Sequence, residues 1–375
     1  MNASISWATR EELPRMGLSP ATARGLLLTS PDGETVVPFG DTDLAEALGL
    51  TREALTAAGV TGGDRVVVAL NNDGDLGGAL IAQAAADVAE AAVATGPRGR
   101  MRLLRTLQAL RGNVLVATPT GAADFLARLH LEFLVDPLDL GLRLLVFTGE
   151  IVDQRTVRHV AAEFDTRVVE LYADPVTGVP VAHRDAEEPA AVLRPVRPGL
   201  LHCAPLDEDR VLPSPYPSGT AELIVTHEWH DLLDGIAVRT GQVAHITDGA
   251  TGIPTPWHTI GDHILIRGRW VPLSGLDHAL RGIDGISRWQ LEIDRRGTLD
   301  TSTLGVTFNR PSLVNNGMWK GRIAQALTAL TPVHIDVTVE ETVEETSAPP
   351  TITDHRGQHL GRDRKTSVRA HTTGG

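Results

Sequence analysis

The sequence predicts an α/β fold: a large N-terminal α/β region with a β-rich layer, followed by a small C-terminal α+β domain. Three observations carry this expectation. Short β-branched apolar runs alternate with longer amphipathic segments as far as Ala173; proline and glycine then thicken and strand-like runs follow one another; from Asp262 the pattern returns to strand, helix, strand. The matching division is residues 1–261 and 262–375.

Element by element, residues 44–58 read as a helix and GVTGGDRVVVALNN as a turn into a short buried strand. Helices over 79–90 and 100–110 follow, then the strand NVLVATP and a helix over 122–130. RLLVFTGE is a strand ending in a turn, 154–163 a helix and TRVVELYA a strand, so at least four strands alternate with helices. The β-rich layer reads as GLLHCA, RVLPS, AELIVTHEW and AVRTGQVAHI. The last region reads HILIRG, a helix over 276–280, SRWQLEID, a helix over 318–330 and HIDVTVE. The tail from Glu341, charged, threonine-rich and carrying Pro349-Pro350, predicts poor order.

Composition excludes several function classes. The 375 residues are 42% hydrophobic, enough for one large core and a smaller one. The net charge is −13 and the arginines are scattered, so no basic stripe exists to neutralise a run of phosphates, and nucleic acid is excluded as a partner. The N-terminus lacks the basic start and apolar core of a signal peptide, and no stretch approaches ~20 apolar residues; no membrane association and a cytoplasmic location are expected. Cys203 is the single cysteine, which excludes an intrachain disulfide and reads as a buried thiol. Lys320 and Lys365 are the only lysines, so chemistry that needs an amine has two candidates.

Several phrases, in this order, resemble the phenylacetate–coenzyme A ligase branch of the adenylate-forming superfamily over roughly residues 22–339. They are GVTGGDRV, LVATPTGAADFLARL, LRLLVFTGE, ELYADPVTG, AELIVTHEWHDLLDGIAVRTGQ and DHILIRGRWVPLSGLDHAL. Their collinear order carries the resemblance, and the start is shorter than the family's. The family joins a carboxylate to the α-phosphate of ATP, a reaction that rests on positioning and charge neutralisation. The resemblance implies a nucleotide site at Thr148, Gly149, Glu150, Tyr172, Arg239 and Gln242. It implies contact with the acid at Tyr172 and His202, although His202 also reads as a satisfied core histidine.

The resemblance also marks departures. The phosphate loop falls on TSPDGETVV, where Asp32 and Glu34 would repel a polyanion and Asp32-Gly33 reads as a hairpin tip. After Tyr172 come Ala173, Asp174, Pro175 and Val176, which remove the family's hydroxyl and its magnesium carboxylate; Asp174 reads first as a turn former and second as a metal ligand. Gln242 replaces the aspartate that grips the ribose, and His258-Thr259 replaces a ribose-contacting Gly-Arg. For the catalytic lysine near the C-terminus the candidates are Lys365 and, as a substitute cation, Arg362; Lys320 reads as a solvated helical lysine. His227, Glu228 and His230 in THEWHD lack metal-helix spacing and read as a solvated loop.

Weak ATP or AMP binding, disfavoured magnesium and no metal site are therefore expected. Two functions remain open. One is a ligase-like protein that activates a small aromatic carboxylic acid in bacterial specialised metabolism with impaired ATP–magnesium chemistry. The other is a non-adenylating binding or partner protein, or an ATP-independent enzyme reusing the acyl pocket. The expected partner is a small carboxylic acid, with a homodimer or a pathway enzyme open as protein partners.

Overall fold

The computed structural model describes residues 5–16, 25–29, 36–71, 77–188 and 190–364. Two compact units divide the chain, Met1–Trp257 and His258–Gly375. In the first, β1 (Ser6–Thr9), β2 (Gly25–Thr29) and β3 (Val36–Gly40) lead into α1 (Asp41–Ala57). Then come β4 (Arg65–Ala69), α2 (Gly77–Val88), β5 (Ala91–Ala94), α3 (Arg100–Leu110), β6 (Val114–Ala117), α4 (Pro119–Arg128), β7 (Leu144–Phe147), α5 (Gln154–Phe164) and β8 (Arg167–Ala173). The unit closes with β9 (Pro180–Asp185), β10 (Arg194–Pro195), β11 (Leu201–Ala204), β12 (Gly219–Thr226) and β13 (Ile236–Ile246).

Helix starts follow from local chemistry. The Thr118 hydroxyl accepts from Gly121 N–H with Pro119 in the first turn of α4, and Asp153 accepts from Thr156 N–H at the start of α5. Asp64, the acid of GVTGGDRV, is a structural anchor: it accepts from Thr61 N–H at 2.7 Å, from Asn113 at 3.0 Å and from Arg143, fixing the turn before β4.

The first sheet runs β10-β9-β8-β7-β6-β4-β5; β5, β4, β6, β7 and β8 run parallel to one another, and β9 pairs antiparallel with β8. Its strands are apolar on both faces because both are covered: Val66 and Val68 pack into one core, and Val67 and Ala69 into another with α3, α4 and α5. A second sheet orders β1-β13-β12-β11, and β2 pairs with β3. The two sheets share a core in which Tyr172, Ala182, Leu201, Cys203, Leu223 and Val238 meet. Among the described residues no helix is long and apolar enough to cross a membrane.

The second unit contains β14 (His258–Thr259), β15 (His263–Ile266), β16 (Arg269–Pro272), α6 (Leu273–Arg281), β17 (Ile286–Arg295), β18 (Asp300–Phe308), α7 (Pro311–Val314), α8 (Gly317–Leu330), β19 (Asp336–Val343) and β20 (Thr351–Asp354). Its main sheet runs β19-β18-β17-β20 and packs against α6 and α8 around Trp289, Leu304 and Ile323. Arg267 and Gly268, both at positive φ (52° and 71°), form the two-residue hairpin turn between β15 and β16.

Two expectations need correction. RVLPS is not a strand: Pro213 and Pro215 remove donors, and the stretch holds β11 through Leu212 N–H to Cys203 O at 2.8 Å. The stretch after Glu341 is not poorly ordered as far as Arg364. β20 pairs in parallel with β17, and Arg356 buries its charge against Asp300 and Asp354 at 2.6 and 2.8 Å. At Arg356 and Asp354, charge in this tail marks a paired, buried group.

Candidate functional site

Thr148, Gly149 and Glu150 follow β7, and Tyr172, near the end of β8, stands close to Thr240 in the middle of β13. Thr148 follows β7, its N–H donating to Ala117 O at 3.2 Å. Gly149 has φ 82°, a left-handed geometry that a side chain would strain. The chain thereby turns Glu150 onto the start of α4, where its carboxylate accepts from Thr120 N–H at 2.9 Å and Thr120 Oγ1 at 2.7 Å. A carboxylate there complements the positive end of the helix. Thr148 Oγ1 is buried and has no hydrogen-bond partner among the described residues.

Tyr172 lies on β8, opposite Ala182 of β9, and is 3% exposed. It is a core residue whose hydroxyl makes no hydrogen bond among the described residues, although Thr240 stands close to it. Burial is the main reason its ionisation is pushed far above the usual phenol range.

Asp174 is the turn former, not a magnesium ligand. Its carboxylate accepts from Val176 N–H (3.1 Å), Thr177 N–H (3.0 Å), the Thr177 hydroxyl (2.5 Å) and His227 Nε2 (2.8 Å). Val176, which the resemblance sets against the family's magnesium carboxylate, is 1% exposed in the apolar core. The residues present fit the cation poorly: Asp174 is engaged by four internal donors, three on Oδ2 and one on Oδ1. No group of three or more His, Cys, Asp or Glu could hold a metal among the described residues.

THEWHD is not a solvated loop. His227 and His230 are fully buried; His230 packs edge-on to Phe39 at 4.9 Å and to Trp229 at 5.4 Å, while His227 faces Asp174. The segment folds inward because Asp174, in a loop remote in sequence, supplies the acceptor that a buried imidazole needs. His227 Nδ1, His230 Nε2 and Trp229 Nε1 have no partners among the described residues.

Arg239 is also committed to the protein. It bonds Glu222 at 2.8 Å, Asp209 at 2.9 Å and Pro205 O at 3.0 Å, and lies over the Trp7 ring at 5.3 Å. Glu222 also accepts from Gly241 N–H at 2.9 Å, next to the bulge between Glu222 and Ile224. Gln242 is 8% exposed and its Oε1 is unpartnered among the described residues.

His202 does not join Tyr172. Leu201 and Cys203 enter the core shared with Tyr172, so His202 alternates to the other face of β11, where its Nε2 meets Gly199 O at 2.8 Å. In the second unit Arg362 pairs with Asp262, and Lys320 is exposed on α8. Lys365, Asp32 and Glu34 lie outside the described residues; β2 and β3 pair antiparallel, Thr29 opposite Val36. The buried Arg184–Glu170 pair escaped the sequence reading. Its one signal was an arginine close behind the apolar start of PVAHRD.

No family model and no curated protein matches the sequence. Solved structures do match in fold. A 2-hydroxyisobutyryl-CoA ligase, in complex with 2-HIB-AMP and CoA in its thioesterification state, superposes with a TM-score of 0.78 over 98% of this chain and 82% of that one, at 16% identity. The o-succinylbenzoate CoA synthetase of Bacillus subtilis gives a TM-score of 0.64 over 86% of this chain and 66% of that one, at 12% identity. The amide bond synthetase McbA of Marinactinospora thermotolerans gives 0.64 over 85% and 65%, at 14% identity. The fold of this chain is that of the adenylate-forming ligases.

Proposed function

We propose that this chain handles a small carboxylic acid on a ligase fold without the usual ATP–magnesium adenylation. The observation that carries this reading is the engagement of Asp174 by internal donors. Its Oδ2 accepts from His227 and from the N–H and hydroxyl of Thr177, its Oδ1 accepts from Val176 N–H, and Val176 itself is apolar, so the carboxylate is already committed to the protein and not to a metal-bound polyanion. Arg239, tied to Glu222 and Asp209, supports the same reading, since it has no free edge to offer a ribose.

What supports an acid ligand is the fold shared with ligases of carboxylates and the layer of buried, unpartnered polar atoms at Thr148, Tyr172 and Gln242. A small aromatic acid suits an apolar surround with a few polar contacts, at micromolar to millimolar affinity for a fragment-sized ligand. Calorimetric titration with ATP in the presence and absence of magnesium, with AMP and with a panel of aromatic acids tests the reading. Acid binding without magnesium-dependent ATP binding is the expected result. Low-micromolar ATP affinity that requires magnesium would overturn it.

A further inference from the structure

We propose that Arg184 is the carboxylate-binding residue of this chain, the outer edge of its guanidinium receiving one planar carboxylate in a two-pronged fork on the sheet face where β9 pairs with the middle of β8. The proposal rests on the reading of the protein as a handler of carboxylic acids and names the residue that recognises the acid. Arg184 is the largest of the fully buried side chains, 1% exposed. Its Nε donates to Glu170, itself buried, while Nη1 and Nη2 are buried without a partner among the described residues.

A guanidinium keeps its charge at every accessible pH and carries five N–H donors in a rigid plane. Leaving most of them dry in the interior is far more costly than leaving a neutral group unpaired. If packing were the only requirement, an apolar pair at these two positions would serve as well as a buried ion pair. The free edge of the fork has the geometry that matches a carboxylate.

Position agrees with chemistry. Phe147, Glu170 and Arg184 stand side by side across β7, β8 and β9, so their side chains share one face of the sheet. Thr148, with its unpartnered hydroxyl, follows Phe147 directly. Beyond Arg184, Gln154 at the start of α5 donates to Ala186 O at 2.9 Å and leaves its buried Oε1 unpartnered. Thr255 Oγ1 lies 3.5 Å from Glu170 Oε2. Burial already holds the Glu170 carboxyl above its usual range, against the opposing charge and hydrogen bond of Arg184. Glu170 is thus the group that can give up its charge when a second carboxylate arrives.

The test uses the whole chain and compares acetate with acetamide, and benzoate with benzamide, by melting temperature and calorimetric titration at an ionic strength held constant with chloride. The carboxylates should stabilise the protein and the amides should not, and Arg184→Met should abolish the difference. Glu170→Gln removes the competing carboxylate and should tighten acetate binding by about tenfold. Acetate and acetamide acting alike on the wild type would overturn the proposal. So would a Glu170→Gln protein with unchanged or weaker acetate affinity, a readout that holds even if Arg184→Met does not fold. Acetate binding that depends on Arg184, with no response to any aromatic acid, would uphold this residue and overturn the function proposed above. Benzoate binding that survives Arg184→Met would do the reverse.

Discussion

His227 Nε2 and Asp174 Oδ2 meet at 2.8 Å with neither side chain exposed, joining the loop after β12 to the loop after β8. The pair fixes the turn after β8 and holds the buried imidazole of His227 in place.

Asp174→Asn should therefore cost stability, not an activity that depends on a metal. Desolvation pushes the Asp174 carboxyl up, but His227 beside it and the hydrogen bonds from His227, Thr177 and Val176 N–H outweigh that and leave it below its usual range. A carboxyl depressed in the folded state contributes fully above its unfolded pKa, roughly 3.9, and the contribution is lost as pH falls through the folded value. Urea unfolding at neutral pH should show a loss of about 3–5 kcal/mol for a broken buried pair. The mutant should also lose less stability on acidification than the wild type; parallel acid limbs would refute the assignment.

Tyr172 separates packing from recognition. Tyr172→Ala should cost about 3–5 kcal/mol, because the ring fills the core shared by both sheets of the first unit. Tyr172→Phe removes a buried hydroxyl that has no partner among the described residues and should lie within about 1 kcal/mol of wild type, or be more stable. A Phe variant of unchanged stability that binds acids more weakly would place the hydroxyl at the ligand.

For Arg239, truncation removes the guanidinium from the buried Glu222 carboxylate, so Arg239→Ala should lose about 3–5 kcal/mol by chemical denaturation. Arg239→Lys keeps the charge but not the fork that reaches Glu222, Asp209 and Pro205 O together, and should recover only part of the loss. Full recovery with lysine would mean that charge alone matters at this position.

Burial pushes the Cys203 thiol up to about 12. Native protein at pH 8 should react with a disulfide reagent at the rate at which it opens, and rapidly once unfolded in urea. Fast labelling of the native chain would show that β11 is accessible.

Much of the fold was legible in the sequence because burial on both faces of a parallel sheet demands continuous apolar runs. RVVVA, VLVA, LLVF and RVVELYA announced β4, β6, β7 and β8, and Thr118-Pro119 and Asp153 lie at helix starts for reasons of local hydrogen bonding. β9 was not legible: PVAHRD follows a proline- and glycine-rich turn and buries an arginine, which no local pattern permits.

The sequence by itself determined the α/β layout, the absence of a second cysteine and which residue types stand at Asp174, Val176 and Gln242. Only the tertiary structure decided what those residues do. Asp174 looked like either a turn former or a ligand until His227, 53 residues away, was seen to use its carboxylate. Arg239 looked available until Glu222 and Asp209 closed around it, and Arg184 was one arginine among many until its strand pairing put it beside Glu170 in the interior. The physical reason is common to all three. Periodicity reports which side of an element is buried, whereas the partner of a buried charge is chosen by chain segments remote in sequence.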